Sequence, residues 1–583
     1  MQPATATIDP PARPHWAWLL ATVLASALLT WFASQPPPAL PADAPADAFS
    51  ATRAMADVRV IAARPHPTGS AENDVVRAYL AGRLQSLGFS VREQPFALTA
   101  RQTARLAKRG SAPARTGVNL IAVRAGPPAS GPAVALMAHY DSVTGSPGAA
   151  DDAFGVAAAL EIARAIPRDA QRRDLAIVLT DAEEIGLAGA RAFFAAAPAG
   201  DPLAARIGTV VNLEARGGGG RAIMFQASPG NGALVDLFAR VVRQPAANSL
   251  AVSIYERLPN STDFTEALQR GVAGFNFAPI GDARLYHSPL ATPDNVDPRS
   301  LQHLGSQALD LARALSGEAA LPTASADVVF SDVLGLATVA YAPWVGWVLL
   351  ALAAGLVVAI ARRRRGEWTA RGVALAAAHG LAGLVAAALA LTGVNLLSRG
   401  PGAPDYYDRL AALPRLEWQA LLVLLAVLAA MVAAARRDGL ERWLALAGVT
   451  ALLATAVQAA LPGGSPFFTW PLLLASAVVA AASSRPRPDG PASWALFAAA
   501  AVVGIGFLAA LGHFAMLSIG TGLPAVLVVL LAPAWLLLAP LLPRPHRGFW
   551  WLALALLLAA VAVALWVRLD PLAASVPVYS ETR

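Results

Sequence analysis

Of the 583 residues, 56% are hydrophobic and only 14% charged, against about 25% charged in ordinary soluble domains, which excludes a wholly water-soluble chain. Cysteine is absent, so disulfides, thiolate metal ligands and a cysteine nucleophile are excluded as well. The net charge of +7 does not point to nucleic acid, because many of the surplus arginines sit in short loops between apolar runs, where they set membrane topology.

Residues 1–15 are polar and read as a cytoplasmic N-terminus. Residues 16–33 form an apolar run just long enough to span a bilayer. Small residues at Ala25 and Ala33 would also suit a cleaved signal peptide, but the length of the run and the aromatic residues Trp16, Trp18, Trp31 and Phe32 at its two ends favour an uncleaved transmembrane anchor. Residues 34–48, rich in proline, predict a stiff extended linker.

A domain of ordinary soluble composition follows over residues 49–320. Helical spacing over 72–87 ends at Gly88, and short apolar runs at 118–123, 134–138, 175–180, 209–213, 222–226 and 272–277 have the length of strands. Helices are expected between them at 156–166, 188–197 and 233–242, and a last one at 299–315. Strands that are apolar throughout belong to sheets covered on both faces. The prediction is an α/β domain with a mostly parallel central sheet flanked by helices.

Residues 332–583 read as a polytopic α-helical membrane domain. Eight apolar runs, at 344–361, 372–397, 417–435, 443–460, 467–483, 492–512, 522–542 and 549–567, give nine spans with the first. With the N-terminus inside, four consecutive inner loops carry Arg362, Arg363, Arg364 and Arg365, then Arg436, Arg437 and Arg442, then Arg485 and Arg487, then Arg544 and Arg547. The outer loop 398–417 departs from the rule with three arginines balanced by acids. This orientation predicts a multi-pass membrane protein whose soluble domain is periplasmic or otherwise extracytoplasmic, and lumenal in a eukaryote. His379, Asn395 and His513 are polar residues of the spans, and intramembrane ionisable groups are functional suspects. With no acidic partner expected within a span, the region reads as a helical anchor rather than a transporter.

The chemistry concentrates between residues 138 and 214. His139 and Asp141 lie two apart, an Asp151-Asp152 pair opens a helix after a glycine-bearing loop, and Glu183-Glu184 and Glu214 follow predicted strands. Strand ends and helix starts are where open α/β sheets build their sites. Imidazole and carboxylate donors held on such a scaffold suit a zinc-like ion, and His287 would complete the set. Adjacent glutamates point different ways, so one can bind metal while the other handles a proton. Each piece also has a purely structural reading: Asp151-Asp152 as a helix cap, the glutamate pair as partners of a helix dipole.

Taken together, Ala138-His139-Tyr140-Asp141-Ser142, Gly148-Ala149-Ala150-Asp151-Asp152, Asp181-Ala182-Glu183-Glu184-Ile185-Gly186, Asn212-Leu213-Glu214-Ala215-Arg216-Gly217 and Tyr286-His287-Ser288 resemble, in order and separation, the co-catalytic dizinc aminopeptidases of zinc exopeptidase clan MH. The resemblance covers roughly residues 50–316, and the Asn-Leu-Glu-Ala-Arg-Gly form with nine spans is similar to the multi-spanning branch found in endoplasmic reticulum and vacuolar membranes and in bacterial relatives. It implies a zinc-exopeptidase-like fold holding two Zn2+ ions, one on His139, Asp151 and Glu214 and the other on Asp151, Glu184 and His287. It further implies that Glu183 is the general base, that Asp141 orients His139, and that the Tyr286 hydroxyl steadies the oxyanion. The family more often has Asn where Asp152 stands, which leaves bridging by Asp151 intact and changes the local charge. Glu214 fills a position that is Asp or Glu across the family.

The activity implied is removal of N-terminal residues from peptide substrates. A glutaminyl cyclase is the nearest enzymatic alternative, set aside because cyclisation needs a single ion. A non-catalytic peptidase-like binding domain attached to a transporter or membrane scaffold is the other alternative. Pro65-His66-Pro67-Thr68-Gly69-Ser70 also looks like a family feature, with His66 positional or pocket-lining rather than a ligand. Asp263, within Asn260-Ser261-Thr262-Asp263-Phe264, either shapes the substrate pocket or belongs to a helix N-cap.

Overall fold

The computed structural model describes residues 15–570 apart from 128–130, 196–199, 319, 401–405, 436–438, 486–489 and 544. The expectations for residues 1–14 and 196–197, and for Arg436, Arg437, Arg487 and Arg544, lie outside the described residues.

Seven strands build one sheet: β1 (Ser90–Ala97), β2 (Thr116–Arg124), β3 (Ala133–His139), β4 (Leu175–Thr180), β5 (Ile207–Leu213), β6 (Gly219–Ala227) and β7 (Ala273–Gly281), in the order β1-β2-β4-β3-β5-β7-β6. The four central strands, β4, β3, β5 and β7, run parallel. Antiparallel strands flank them, β2 and β1 on one side and β6 on the other. Every residue of β3 and β4 is buried, which is why these strands read as unbroken apolar runs. β1 carries no such signature: most of its residues are exposed, and it includes Pro95, which a sheet edge tolerates.

The expected helices form as Ala71–Ser86, Ala153–Ala165, Ala188–Phe194, Gly232–Val241 and Pro298–Gly317, joined by four more, Ala51–Ile61, Ala100–Lys108, Ser249–Tyr255 and Asp263–Gln269. Helix Ala153–Ala165 is alanine-rich because it packs between β3 and the helices Ala51–Ile61 and Pro298–Gly317, where small side chains allow close approach. Its start is fixed by Asp152, whose carboxylate accepts from Gly155 N at 3.0 Å. A side chain at Gly155 would meet that carboxylate at 2.4 Å, so the cap requires glycine there.

Among the described residues nine helices are long and apolar enough to cross a membrane: Ala17–Ser34, Pro343–Arg363, Ala370–Leu397, Leu413–Ala434, Leu440–Ala460, Pro466–Ser483, Pro491–Gly520, Pro524–Leu541 and Gly548–Leu569. The chain is therefore a polytopic membrane protein with a mixed α/β domain. The loop after Ala370–Leu397 departs from the charge rule because its arginines have local partners. Arg409, in the short helix Tyr406–Ala411, donates to Asn395 Oδ1 at 2.6 Å and Ser398 Oγ at 3.0 Å. Arg415 pairs with Asp570 at 3.0 Å and lies 3.8 Å over the Trp566 ring. One expectation is corrected: His513 does have an acidic partner on a span, Glu417 Oε1 at 2.7 Å, because the helix that carries it begins at Leu413 and takes in the loop end.

The two halves are joined at several places. The linker is not extended throughout: it turns twice, with Ala44 N donating to Pro41 O and Ala48 N to Pro45 O. It is also pinned, as Gln302 Oε1 accepts from Leu40 N and Ala51 N, both at 2.9 Å, and Arg53 donates to the carbonyls of Ala42, Ala44 and Ala48. A hairpin of β8 (Val329–Val333) and β9 (Ala337–Tyr341) straddles the expected boundary, with Phe330 in the soluble core and Ser249 Oγ between Phe330 and Gly463. Arg221 of β6 is buried where the first span ends, donating to Ala33 O at 3.0 Å and Pro245 O at 2.6 Å, 3.9 Å from Asp332. Arg221→Ala, which strands two carbonyls and leaves the Asp332 carboxylate to the backbone amides of Ala247 and Gly335 without a cation, is expected to cost about 3–5 kcal/mol. The reading is a lowered thermal midpoint of the purified full-length protein.

Candidate metal centre

The parallel block delivers its strand ends to one edge. His139 closes β3 opposite Thr180, the last residue of β4, so the segments carrying Asp141 and Glu183-Glu184 emerge side by side. β5 runs parallel to β3 and leads into Glu214, while β7 leads through the turn Ala283–Leu285 to His287. Asp151 precedes the helix that covers β3, and its peptide bond to Asp152 is cis. Ala182 and His287 take left-handed backbone, with φ of 62° and 53°, a conformation that costs of order 1 kcal/mol or more outside glycine and that gathers at functional sites.

All five residues that the sequence offers as ligands converge. Asp151 Oδ1 is 3.1 Å from His139 Nε2, and its Oδ2 is 3.3 Å from His287 Nε2, so one carboxylate spans two imidazoles. Glu214 Oε2 lies 3.9 Å from His139 Nε2, and Glu184 Oε2 lies 3.2 Å from His287 Nε2. Two triads result, His139-Asp151-Glu214 and Asp151-Glu184-His287, each with its donor atoms within 4.8 Å of one another. A third group brings Glu183 to His139 and Glu184 within the same limit.

Asp141 reaches further than the orientation of His139. The Nδ1 of His139 faces the Asp141 backbone carbonyl at 3.0 Å and the carboxylate at 3.5 Å. That carboxylate accepts from Glu183 N at 3.1 Å and Glu184 N at 3.3 Å, fixing the loop that presents both glutamates. Asp152 serves the helix cap and accepts from His139 N at 3.3 Å. Tyr286 stacks on His287 with ring centroids 3.9 Å apart. His66 is buried with its Nδ1 2.9 Å from Arg64 O. Asp263 is the first residue of its helix, buried and bonded to Thr180 Oγ1, with Thr262 in the N-cap position.

Three supporting residues had no role assigned from the sequence, although Asn212 and Thr68 stand within its motifs. Asn212 donates to Glu214 Oε1 at 3.3 Å, a placement that the two-residue repeat of a strand could have revealed. Thr68 donates to Asp181 at 2.9 Å and to Asp141 at 3.3 Å. Tyr407 stands 2.8 Å from His287 Nδ1 across 120 residues, and no local pattern marks it.

The electrostatics fit a pair of divalent cations. Asp151, Glu183, Glu184 and Glu214 crowd two imidazoles, so the cluster holds more negative than positive charge in a largely water-excluded place. Burial, and then the Asp151 and Asp263 carboxylates, push Glu214 up to about 8. Burial with neighbouring carboxylates also raises Glu183 and Glu184. Burial works against charge on His139 and His287, but the surrounding carboxylates outweigh it and push both well above the ordinary range. Nitrogen and oxygen donors without sulfur, two imidazoles among them, suit zinc.

A group raised on folding stabilises the fold fully below its unfolded value and loses that contribution as pH rises towards its folded value. For Glu214 the window runs from the ordinary 4.5 to about 8, and the two histidines act in the same sense. The chelator-treated protein is therefore expected to lose thermal midpoint between pH 5 and pH 8, with zinc restoring it most at the alkaline end. Differential scanning fluorimetry across that range reads the effect.

The chain matches peptidase family M28 over residues 119–312. It is 31% identical over 226 residues to endoplasmic reticulum metallopeptidase 1 of Homo sapiens, covering 37% of this chain and 25% of that protein. It is 31% identical over 268 residues to a vacuolar membrane protease of Candida dubliniensis, covering 45% of this chain and 28% of that protein. It thus spans about a quarter of the length of the curated relatives it matches. Among solved structures, an aminopeptidase from Aneurinibacillus sp. strain AM-1 aligns at 15% identity with a TM-score of 0.38, covering 48% of this chain and 97% of that one. Residues 119–312 of the α/β domain are thus similar to the M28 peptidases, and nine helices of spanning length accompany that domain among the described residues.

Proposed function

We propose that the protein is a membrane-embedded zinc aminopeptidase that removes N-terminal residues from peptides, with residues 49–320 as its catalytic domain and 332–583 as its membrane domain. The observation that carries the reading is the Asp151 carboxylate held between His139 and His287, each imidazole with a second acid beside it. The names of the relatives, a metallopeptidase and a protease of internal membranes, support it.

In this reading His139, Asp151 and Glu214 hold one ion and Asp151, Glu184 and His287 the other. Lewis acidity towards the scissile carbonyl and the attacking water is what two zinc ions supply when bound. Glu183 takes the proton from the attacking water and passes it to the leaving amine. Its loop is fixed for this by the Asp141 carboxylate, which accepts from Glu183 N. The Tyr286 hydroxyl donates to the carbonyl oxygen as charge builds there, fixed by the stacking of its ring on His287. Asp141 acts through His139 and the glutamate loop.

Glu183→Gln is expected to keep about two zinc equivalents per chain while hydrolysis of aminoacyl anilides falls about 100- to 10,000-fold. Unchanged turnover would remove Glu183 from its role, and one equivalent in the wild type would favour single-ion chemistry. The positive-inside pattern puts the catalytic domain on the extracytoplasmic side. Because the chain has no cysteine, sidedness can be read directly: in sealed vesicles of known orientation an impermeant maleimide should label Asp169→Cys and Arg365→Cys from opposite faces.

A further inference from the structure

The two candidate histidine ligands are steadied by different halves of the molecule. His139 turns Nδ1 to a carbonyl two residues away, within its own strand end. His287 turns Nδ1 to the phenolic oxygen of Tyr407, in the short helix Tyr406–Ala411 between the spans Ala370–Leu397 and Leu413–Ala434. With Nε2 facing Asp151 and Glu184, a neutral imidazole carries its proton on Nδ1 and donates it to Tyr407 Oη.

That short helix is fastened from both sides. Arg409 binds it to Asn395 and Ser398 at the end of the preceding span. Arg216, two residues beyond Glu214, donates to Tyr406 Oη at 2.6 Å and to the carbonyls of Leu517 and Ser518 at 3.3 and 3.2 Å. The Tyr407 ring also lies 5.6 Å from the His287 ring and 6.1 Å from Tyr286. A phenol is a suitable acceptor here, since a carboxylate would add another negative group to a cluster that already gathers Asp151, Glu183, Glu184 and Glu214.

We propose that Tyr407 is a positioning residue for His287, so that the membrane domain completes the half of the site formed by Asp151, Glu184 and His287. The inference rests on the two-zinc reading above. A hydrogen bond on the distal nitrogen of a ligating histidine fixes its tautomer and ring orientation, and losing such a partner typically weakens metal binding about 10- to 100-fold.

The test uses the full-length protein in detergent, loaded with zinc and titrated with a chelator, and separately loaded with cobalt for its visible spectrum. Tyr407→Phe, which removes one oxygen, should release one zinc at about 10- to 100-fold lower chelator strength, hold the other as the wild type does, and shift the bands of one cobalt only. The metal-free variant should keep the wild-type thermal midpoint. In a His287→Ala background Tyr407→Phe should change nothing further, which a merely structural role would not satisfy. Release curves and spectra that overlay those of the wild type would overturn the inference while leaving the zinc reading standing. So would equal weakening of both ions, or an added loss in the His287→Ala background. A wild type that takes up no zinc would overturn both.

Discussion

One carboxylate between two imidazoles sets the terms for the rest of this protein. Asp151 can face both His139 and His287 only if a strand end, a helix start and a loop after a distant strand arrive at one point. The parallel block of β4, β3, β5 and β7 meets that requirement, because parallel strands present all their carboxyl ends at one edge. Concentrating so much like charge away from water is unfavourable unless it is paired. The surroundings are built to offset this: Asp141 accepts from two backbone amides, Asn212 reaches Glu214, and Asp152 accepts from Gly155 N in its helix cap and from His139 N.

The membrane half is more than a tether. The linker is bound along its length, the β8-β9 hairpin shares Phe330 with the soluble core, and Arg216 reaches from the segment after β5 to the carbonyls of Leu517 and Ser518. Domains joined only by a flexible linker move independently by default. Here polar contacts hold the candidate metal centre and the outer ends of the spans in one arrangement.

What could be read from the sequence follows from how local each signal is. Nine apolar runs are properties of contiguous residues, and all nine appear as helices of spanning length among the described residues. β3 and β4 were legible for the same reason, buried on both faces and apolar throughout. β1 was not, because an edge strand with Pro95 and mostly exposed residues looks like a loop. Asp141 was legible as a neighbour of His139, but its grip on the Glu183-Glu184 loop depends on the β3-β4 register and could not be read from spacing. Tyr407 was hidden altogether. Its loop stood out only as an exception to the charge rule, and the contact with His287 crosses 120 residues.

That separation has a consequence for biogenesis. Residues 139 to 287 emerge from the ribosome well before residue 407, and N-terminal domains begin to fold while synthesis continues. The strand ends and their acids can therefore assemble first, whereas the phenol that faces His287 arrives only once two further spans have been inserted around it. If the soluble half folds during synthesis, His287 therefore waits for this partner until the spans flanking Tyr407 have been inserted.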